Sequence, residues 1–364
     1  MKSFSLGVVG AFVFAAFAMG QGASAQAKLH WYRGNTHTHT INSDGDAAPD
    51  AVVRWYREHG YQFIVITDHE FLTDVAPLQG LFGADEQFLV MPGQEVTQIV
   101  ADARHPEGKR QAHLNAINSA RVVMPMGEPQ PKNPRIGRVA PAGTPIAETY
   151  ARNLAAITAA GGIGQINHPN WRWSVGLEDM AQLPNGTLFE LWNGIREINN
   201  LGGTDDAGNV ALSTEALWDT LLSRGKVLWG VGSDDTHDLY KTLSDPEAAP
   251  PGQAWIVVRA EKLSPAAIVG ALQRGDFYAS TGVALEDYEA GPAKKEIVIT
   301  LKHSGSDRDD TRFLTRFVGK GGRVLAEVPG LKPRYLIKGD EGYVRAAIVD
   351  SNGRRAWTQP VILK

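Results

Sequence analysis

Short apolar runs alternate with amphipathic stretches along residues 34–283, the pattern that βα units of a parallel sheet produce. The runs at 63–67, 88–91, 162–167, 188–192 and 227–231 predict buried strands, and each ends in polar residues. Helices are predicted over 50–59, 149–160, 214–224 and 265–274, the last three stopped by Gly161, Gly225 and Gly275. A closed barrel is the natural architecture for such a series. After Gly291 the rhythm changes to β-rich segments at 296–302, 312–318, 334–338, 344–350 and 359–363, broken by Gly, Asp and Asn turns. The fold expected is therefore α/β: a barrel over residues 26–290 followed by a small β-sandwich-like domain over 291–364.

Residues 119–147 interrupt the alternation, with six prolines around Lys132, Arg135 and Arg138. A stretch of this length reads as a lid or as a disordered excursion. Its cations suit an anionic substrate or plain solvated surface.

Residues 1–25 read as a signal peptide: Lys2 starts it, 6–19 is apolar, and Ala23-Ser24-Ala25 fits a cleavage site. The competing reading, an uncleaved anchor, is opposed by the short apolar run and the absence of basic residues after it. The expected location is periplasmic or secreted, with no membrane span after cleavage. There is no cysteine, so a metal site here must use nitrogen and oxygen ligands, which excludes iron–sulfur clusters and structural zinc fingers. The formal net charge is −4, more negative still once Lys2 is lost, so no stable nucleic-acid partner is expected.

Six of the ten histidines sit in polar clusters beside carboxylates. His37 and His39 are two apart, so an extended chain projects both imidazoles from one face. Asp44 follows in a glycine turn; Asp68-His69 closes an apolar run; Glu95 follows another. His113 precedes Leu114-Asn115-Ala116-Ile117, His168 precedes Pro169, and Asp235 and His237 are again two apart. Each cluster alone has a plain alternative: a turn, an exposed carboxylate or, for His113, a satisfied core histidine. Together, at successive strand boundaries, they point to metal binding at the mouth of a barrel.

In order and type these motifs (HTH with SDG, TDH, GQE, a histidine before LNAI, NHPN, SDDTH) resemble the polymerase and histidinol phosphatase (PHP) superfamily of metal-dependent phosphoesterases over residues 34–283. The resemblance implies a distorted (β/α)7 barrel with two or three divalent ions, Zn, Mn or Fe. It implies that His37, His39, Glu95 and Asp235 hold one ion, that Glu95 bridges to a second held by His113 and His168, and that Asp44, His69 and His237 hold a third. Signal, barrel and β-rich tail together resemble, more loosely, a subgroup that includes carbamate-cleaving metallohydrolases.

The expected chemistry is hydrolysis by metal-activated hydroxide, with no side-chain nucleophile. Asp68 and Asp234, beside the ligands, are candidates to orient metal-bound histidines or to transfer a proton. Arg172 is a candidate clamp for an anionic oxygen or a packing residue between Trp171 and Trp173, and Asn193 a candidate substrate donor. Phosphoester hydrolysis of a small or medium anionic substrate outside the cytoplasm is the first reading. The second is a carbamate, ester or amide hydrolase using an indole-rich pocket of Trp171, Trp173 and Trp192; the third is a non-catalytic binding protein with a saturated metal shell.

Overall fold

Strand β2 (Phe63–Ile66) has no exposed side chain, because neighbours cover both faces and both edges. It runs parallel to β1 (His30–Asn35) on one side and to β3 (Leu89–Ala101) on the other. Between these strands lie α1 (Pro49–Glu58) and α2 (Ala76–Phe82). Val52, Val53 and Tyr56 of α1 close over Ile64 and Ile66, with Phe82 of α2 and Phe88 completing the cluster. The computed structural model describes residues 1, 28–204, 208, 210–291, 293–303 and 310–363. The expected signal segment, Met1 apart, lies outside the described residues; among them no helix is long and apolar enough to cross a membrane.

The chain then departs from a repeating βα pattern. β4 (Lys109–Ile117) returns antiparallel along β3, in register from Gly93↔Ile117 to Ala101↔Lys109. Only a turn joins the two strands, and without a crossover helix a parallel pairing is out of reach. Within the proline-rich stretch, β5 (Glu128–Pro129) pairs with β6 (Arg138–Val139), and β6 lies beside β3 at Gln98↔Arg138, past the end of β2. Backbone hydrogen bonds thus tie part of this stretch to the edge of β3.

Helix α3 (Ile146–Ala159) leads to β7 (Ile163–Ile166), antiparallel to β4. Past the short α4 (Leu177–Met180), β8 (Leu188–Asn193) runs parallel to β7. A small hairpin of β9 (Gly203–Thr204) and β10 (Val210–Ala211) precedes α5 (Thr214–Ser223), capped by the Ser213 hydroxyl, and β11 (Trp229–Ser233) runs parallel to β8. β12 (Trp255–Ala260) lies antiparallel to β1, and after α6 (Pro265–Arg274) β13 (Phe277–Ser280) lies antiparallel to β12. The order is β11-β8-β7-β4-β3-β2-β1-β12-β13, a mixed sheet rather than the parallel series expected. The segment after β11, at one end of this order, meets the segment after β1, which lies inside it: Thr38 bridges Thr236 and the His39 N–H donates to the Thr236 carbonyl at 2.8 Å.

The C-terminal part adds β14 (Leu285–Glu289), β15 (Glu296–Leu301), β16 (Phe313–Gly319), β17 (Arg323–Pro329), β18 (Arg334–Leu336), β19 (Tyr343–Asp350), β20 (Arg355–Thr358) and β21 (Val361–Ile362). β14, β15 and β18 form a separate sheet. Alternate residues of β15, Ile297, Ile299 and Leu301, pack with Phe317, Val344 and Ile348, so two β layers share one core, as the period-2 pattern requires. β20 pairs with β13, so the main sheet runs unbroken into the C-terminal part. Buried Arg345 pairs with Asp219 (2.6 Å) and Glu215 (2.9 Å) of α5.

Candidate metal centre

Strand ends deliver most of the candidate ligands. Beyond β1 the extended chain presents His37 and His39; His69 follows β2, His168 follows β7, and Asp235 and His237 follow β11. Asp44 sits in the turn after His39. Glu95 and His113 lie inside β3 and β4 instead, because those strands run on past the rim. His113 is no mere core histidine: its Nδ1 is 2.9 Å from Glu95 Oε1.

The nine side chains gather into three groups: His37, His39, Glu95 and Asp235; Glu95, His113 and His168; and His39, Asp44, His69 and His237. In the first, His37 Nε2 stands 3.1 Å from His39 Nε2, 3.2 Å from Glu95 Oε2 and 3.1 Å from Asp235 Oδ1. His39 Nε2 stands 3.2 and 3.3 Å from the same two oxygens. A tetrahedral ion with bonds of about 2.0–2.1 Å separates its ligands by about 3.3 Å, so these four atoms fit one cation. The two oxygens of Glu95 divide: Oε2 faces the first group, while Oε1 faces His113 and, at 3.5 Å, His168. Asp44 lies 3.4 Å from His69 Nε2 and 3.5 Å from His237 Nε2, and its half-exposed carboxylate puts this group at the mouth. His39 Nδ1 is also 3.3 Å from Asp44, so one imidazole touches two groups.

A carboxylate that sequence reasoning missed supports this arrangement. Fully buried Glu190 of β8 meets His37 Nδ1 at 2.7 Å and accepts the Ser233 hydroxyl at 2.5 Å, the His168 N–H at 2.6 Å and the Asn193 amide at 2.8 Å. The available signal was an acidic residue inside an otherwise apolar strand. Asn167 donates to Glu95 Oε1 at 2.8 Å, steadying the shared carboxylate.

Four other candidates are placed as follows. Asn193 spends both amide protons on Glu190 and Asp235, so it braces a ligand instead of offering a donor to substrate. Asp68 orients no imidazole: it is buried and accepts from the Thr40 N–H and from the hydroxyls of Thr40, Ser43 and Thr73, fixing the loop between His39 and Asp44. Asp234 accepts from Tyr56 and from the backbone of Gly252, Gln253 and Ala254, and burial raises its pKa to about 6 despite those donors. Arg172 does not line the cavity; its guanidinium pairs with Glu107 at 3.0 Å.

Burial alone would lower the pKa of His37, but the carboxylates of Asp235, Glu95 and Glu190 outweigh it and hold the ring well above its ordinary value. His39 is raised to about 10, against burial, by Asp235 and Glu95. His113 goes the other way, to about 4, because burial there exceeds the pull of Glu95. Protons and cations compete for the same nitrogen lone pairs, so a donor set that attracts positive charge this strongly suits divalent ions. His168 (φ 26°) and Asp235 (φ 54°) both adopt left-handed backbone, a cost that concentrates at functional sites. A cavity of about 430 Å³ opens over the centre; its lining includes Trp171, Arg196, Glu197 and Glu247.

No family model matches the chain, and no curated protein matches it by sequence. Among solved structures it is similar to a two-domain protein containing a predicted PHP-like metal-dependent phosphoesterase from Bacteroides vulgatus (16% identity, 88% of this chain and 90% of that one, TM-score 0.45). It is also similar to an amidohydrolase from Chromobacterium violaceum with bound sulfate and no metal (14% identity, 56% of this chain and 87% of that one, TM-score 0.33).

Proposed function

We propose that the chain is a metal-dependent hydrolase of small anionic phosphoesters, acting outside the cytoplasm. The observation that carries the reading is the division of Glu95, one oxygen facing each of two adjacent ligand groups, which is the arrangement of a bridging ligand. Divalent ions held by the nine residues would acidify a water molecule and polarise the bond under attack. The chain's own groups do the rest. Glu190 fixes the ring of His37, Asn193 and Asn167 hold the carboxylates of Asp235 and Glu95, and Asp68 secures the loop that carries Asp44. Only three carboxylates serve three candidate groups, so divalent ions would leave excess positive charge, which favours an anion. Arg196 is the one lysine or arginine among the lining residues, and one of its amino groups donates to the Leu243 carbonyl at 2.6 Å.

A carbamate, ester or amide substrate is the second reading. The indole of Trp171 and the carboxylates of Glu197 and Glu247 in the cavity wall favour it, since acidic walls oppose an anion. A structural, non-catalytic metal fits less well: the group of Glu95, His113 and His168 offers three protein ligands, which leaves room for a fourth. Purified, metal-analysed protein is to be screened against phosphomonoesters, phosphodiesters and aryl carbamates, with His69→Ala as the control. Phosphoester turnover that disappears in the variant supports the first reading; turnover of carbamates alone supports the second; full activity in His69→Ala would show that the site is wrongly placed.

A further inference from the structure

Beyond His168, the strap that carries Trp171 into the cavity wall holds left-handed backbone at Arg172 (φ 50°) and Trp173 (φ 54°), neither of them glycine. Such geometry persists only where neighbours over-determine it. Here the neighbours come from an arm: β3 and β4 run past the end of β2 and turn at 102–108. From that tip His105 Nε2 donates to the Arg172 carbonyl at 2.8 Å, and Glu107 accepts from the Arg172 guanidinium at 3.0 and 3.1 Å. Farther along β4, Arg110 donates to the Ser174 carbonyl at 2.7 Å. On the opposite flank the Asn170 amide donates to the carbonyls of Asn199 (3.0 Å) and Leu212 (2.9 Å).

All of this restraint converges on Trp171. Its ring centroid lies 5.2 Å from those of both His113 and His168, edge to face, and the Arg172 guanidinium lies 5.2 Å from the indole centroid. The indole lines the cavity, and Ile195, Ile198, Pro246 and Ala248 supply apolar lining elsewhere in it. Hydrolysis at the ligand groups needs no indole. A flat apolar surface beside the reacting centre instead suits the part of the substrate that does not react.

We propose that Trp171 determines specificity, packing against a planar apolar group of the substrate, and that the β3–β4 arm positions it through Arg172. The proposal rests on the hydrolase reading above and names the substrate class: esters whose non-reacting group is flat and apolar. Arg172 and Glu107 are positioning residues in this scheme, acting through the strap.

The test is calorimetric titration of metal-loaded protein with phenylphosphonate and methylphosphonate, which share a headgroup and resist hydrolysis. Phenylphosphonate is expected to bind about tenfold more tightly, an advantage that falls to about twofold in Trp171→Ala and survives in Trp171→Phe. Glu107→Ala, with the ligands untouched, is expected to lower the same advantage and leave methylphosphonate binding unchanged. Equal affinities in the wild type, equal losses of both anions in Trp171→Ala, or a full phenyl advantage in that variant each overturn the proposal. A full advantage in Glu107→Ala overturns the part given to the arm. A protein that prefers phenylphosphonate yet hydrolyses no phosphoester keeps the specificity wall and loses only the phosphoesterase reading.

Discussion

Glu190 Oε1 lies 2.7 Å from Nδ1 of His37, and both side chains are completely buried. The contact fixes the tautomer: with the Nδ1 proton donated to Glu190, Nε2 carries the lone pair that faces His39, Glu95 and Asp235. Glu190→Gln keeps the shape but weakens the pull on that proton. Metal affinity is expected to fall by about 10- to 100-fold, read by competition with a chromogenic chelator. Unchanged affinity would mean that Glu190 merely fills space.

Chelation should destabilise the protein. With six imidazoles and three carboxylates drawn together, cations bound only by the folded state add stability by mass action, about 4 kcal/mol at a thousandfold excess over Kd. Thermal melts with and without chelator, followed by re-addition of zinc or manganese, check this. A midpoint insensitive to chelator and metal alike counts against the centre.

Arg196→Ala is expected to raise KM for an anionic substrate about tenfold or more, the order of one charge-assisted hydrogen bond, with kcat and metal content little changed. Steady-state kinetics on the best phosphoester decide it. An equal fall in kcat would place Arg196 at the reacting atoms instead of at a distal anion.

Gly34→Ala probes the approach of β1 to β2. A Cβ there would fall 2.2 Å from the ring of buried Phe63, so either the ring or the strand must move. Overpacking of this kind costs about 1–3 kcal/mol, measured by denaturant unfolding. Because His37 follows three residues later, weaker metal binding should accompany the loss.

Weakening the buried ion pair between Arg345 and Asp219 with Asp219→Asn should cost about 1.5–3 kcal/mol, since Glu215, 2.9 Å from the same guanidinium, still compensates part of its charge. A variant with Arg345→Met and Asp219→Leu should recover most of that loss. Equilibrium unfolding of the two proteins makes the comparison.

The order of chemistry along the chain was legible because strand ends carry it: His37, His39, His69, His168, Asp235 and His237 each stand just past the end of a strand. α6 was equally plain, with its Ser264 cap, Pro265 and left-handed Gly275. What escaped were relations between distant positions. The antiparallel return of β4 depends on a turn with no helical signal, and alternation alone does not distinguish it from a parallel strand. Arg172 looked available because its partner Glu107 lies 65 residues earlier. Glu190 was hidden inside an apolar strand, where the sequence cannot say which neighbours will surround a carboxylate. Asp68 and Asp234 stood beside ligands in sequence, yet each side chain faces its own set of donors instead of a neighbouring imidazole.

The splice of β20 onto β13 means that the C-terminal layers are not a detachable appendage. Excising them would bare the backbone donors and acceptors of β13 along a raw margin, an invitation for another polypeptide to add itself as the missing strand. Shortened forms of this protein are accordingly expected to associate and precipitate instead of surviving as a minimal catalytic unit.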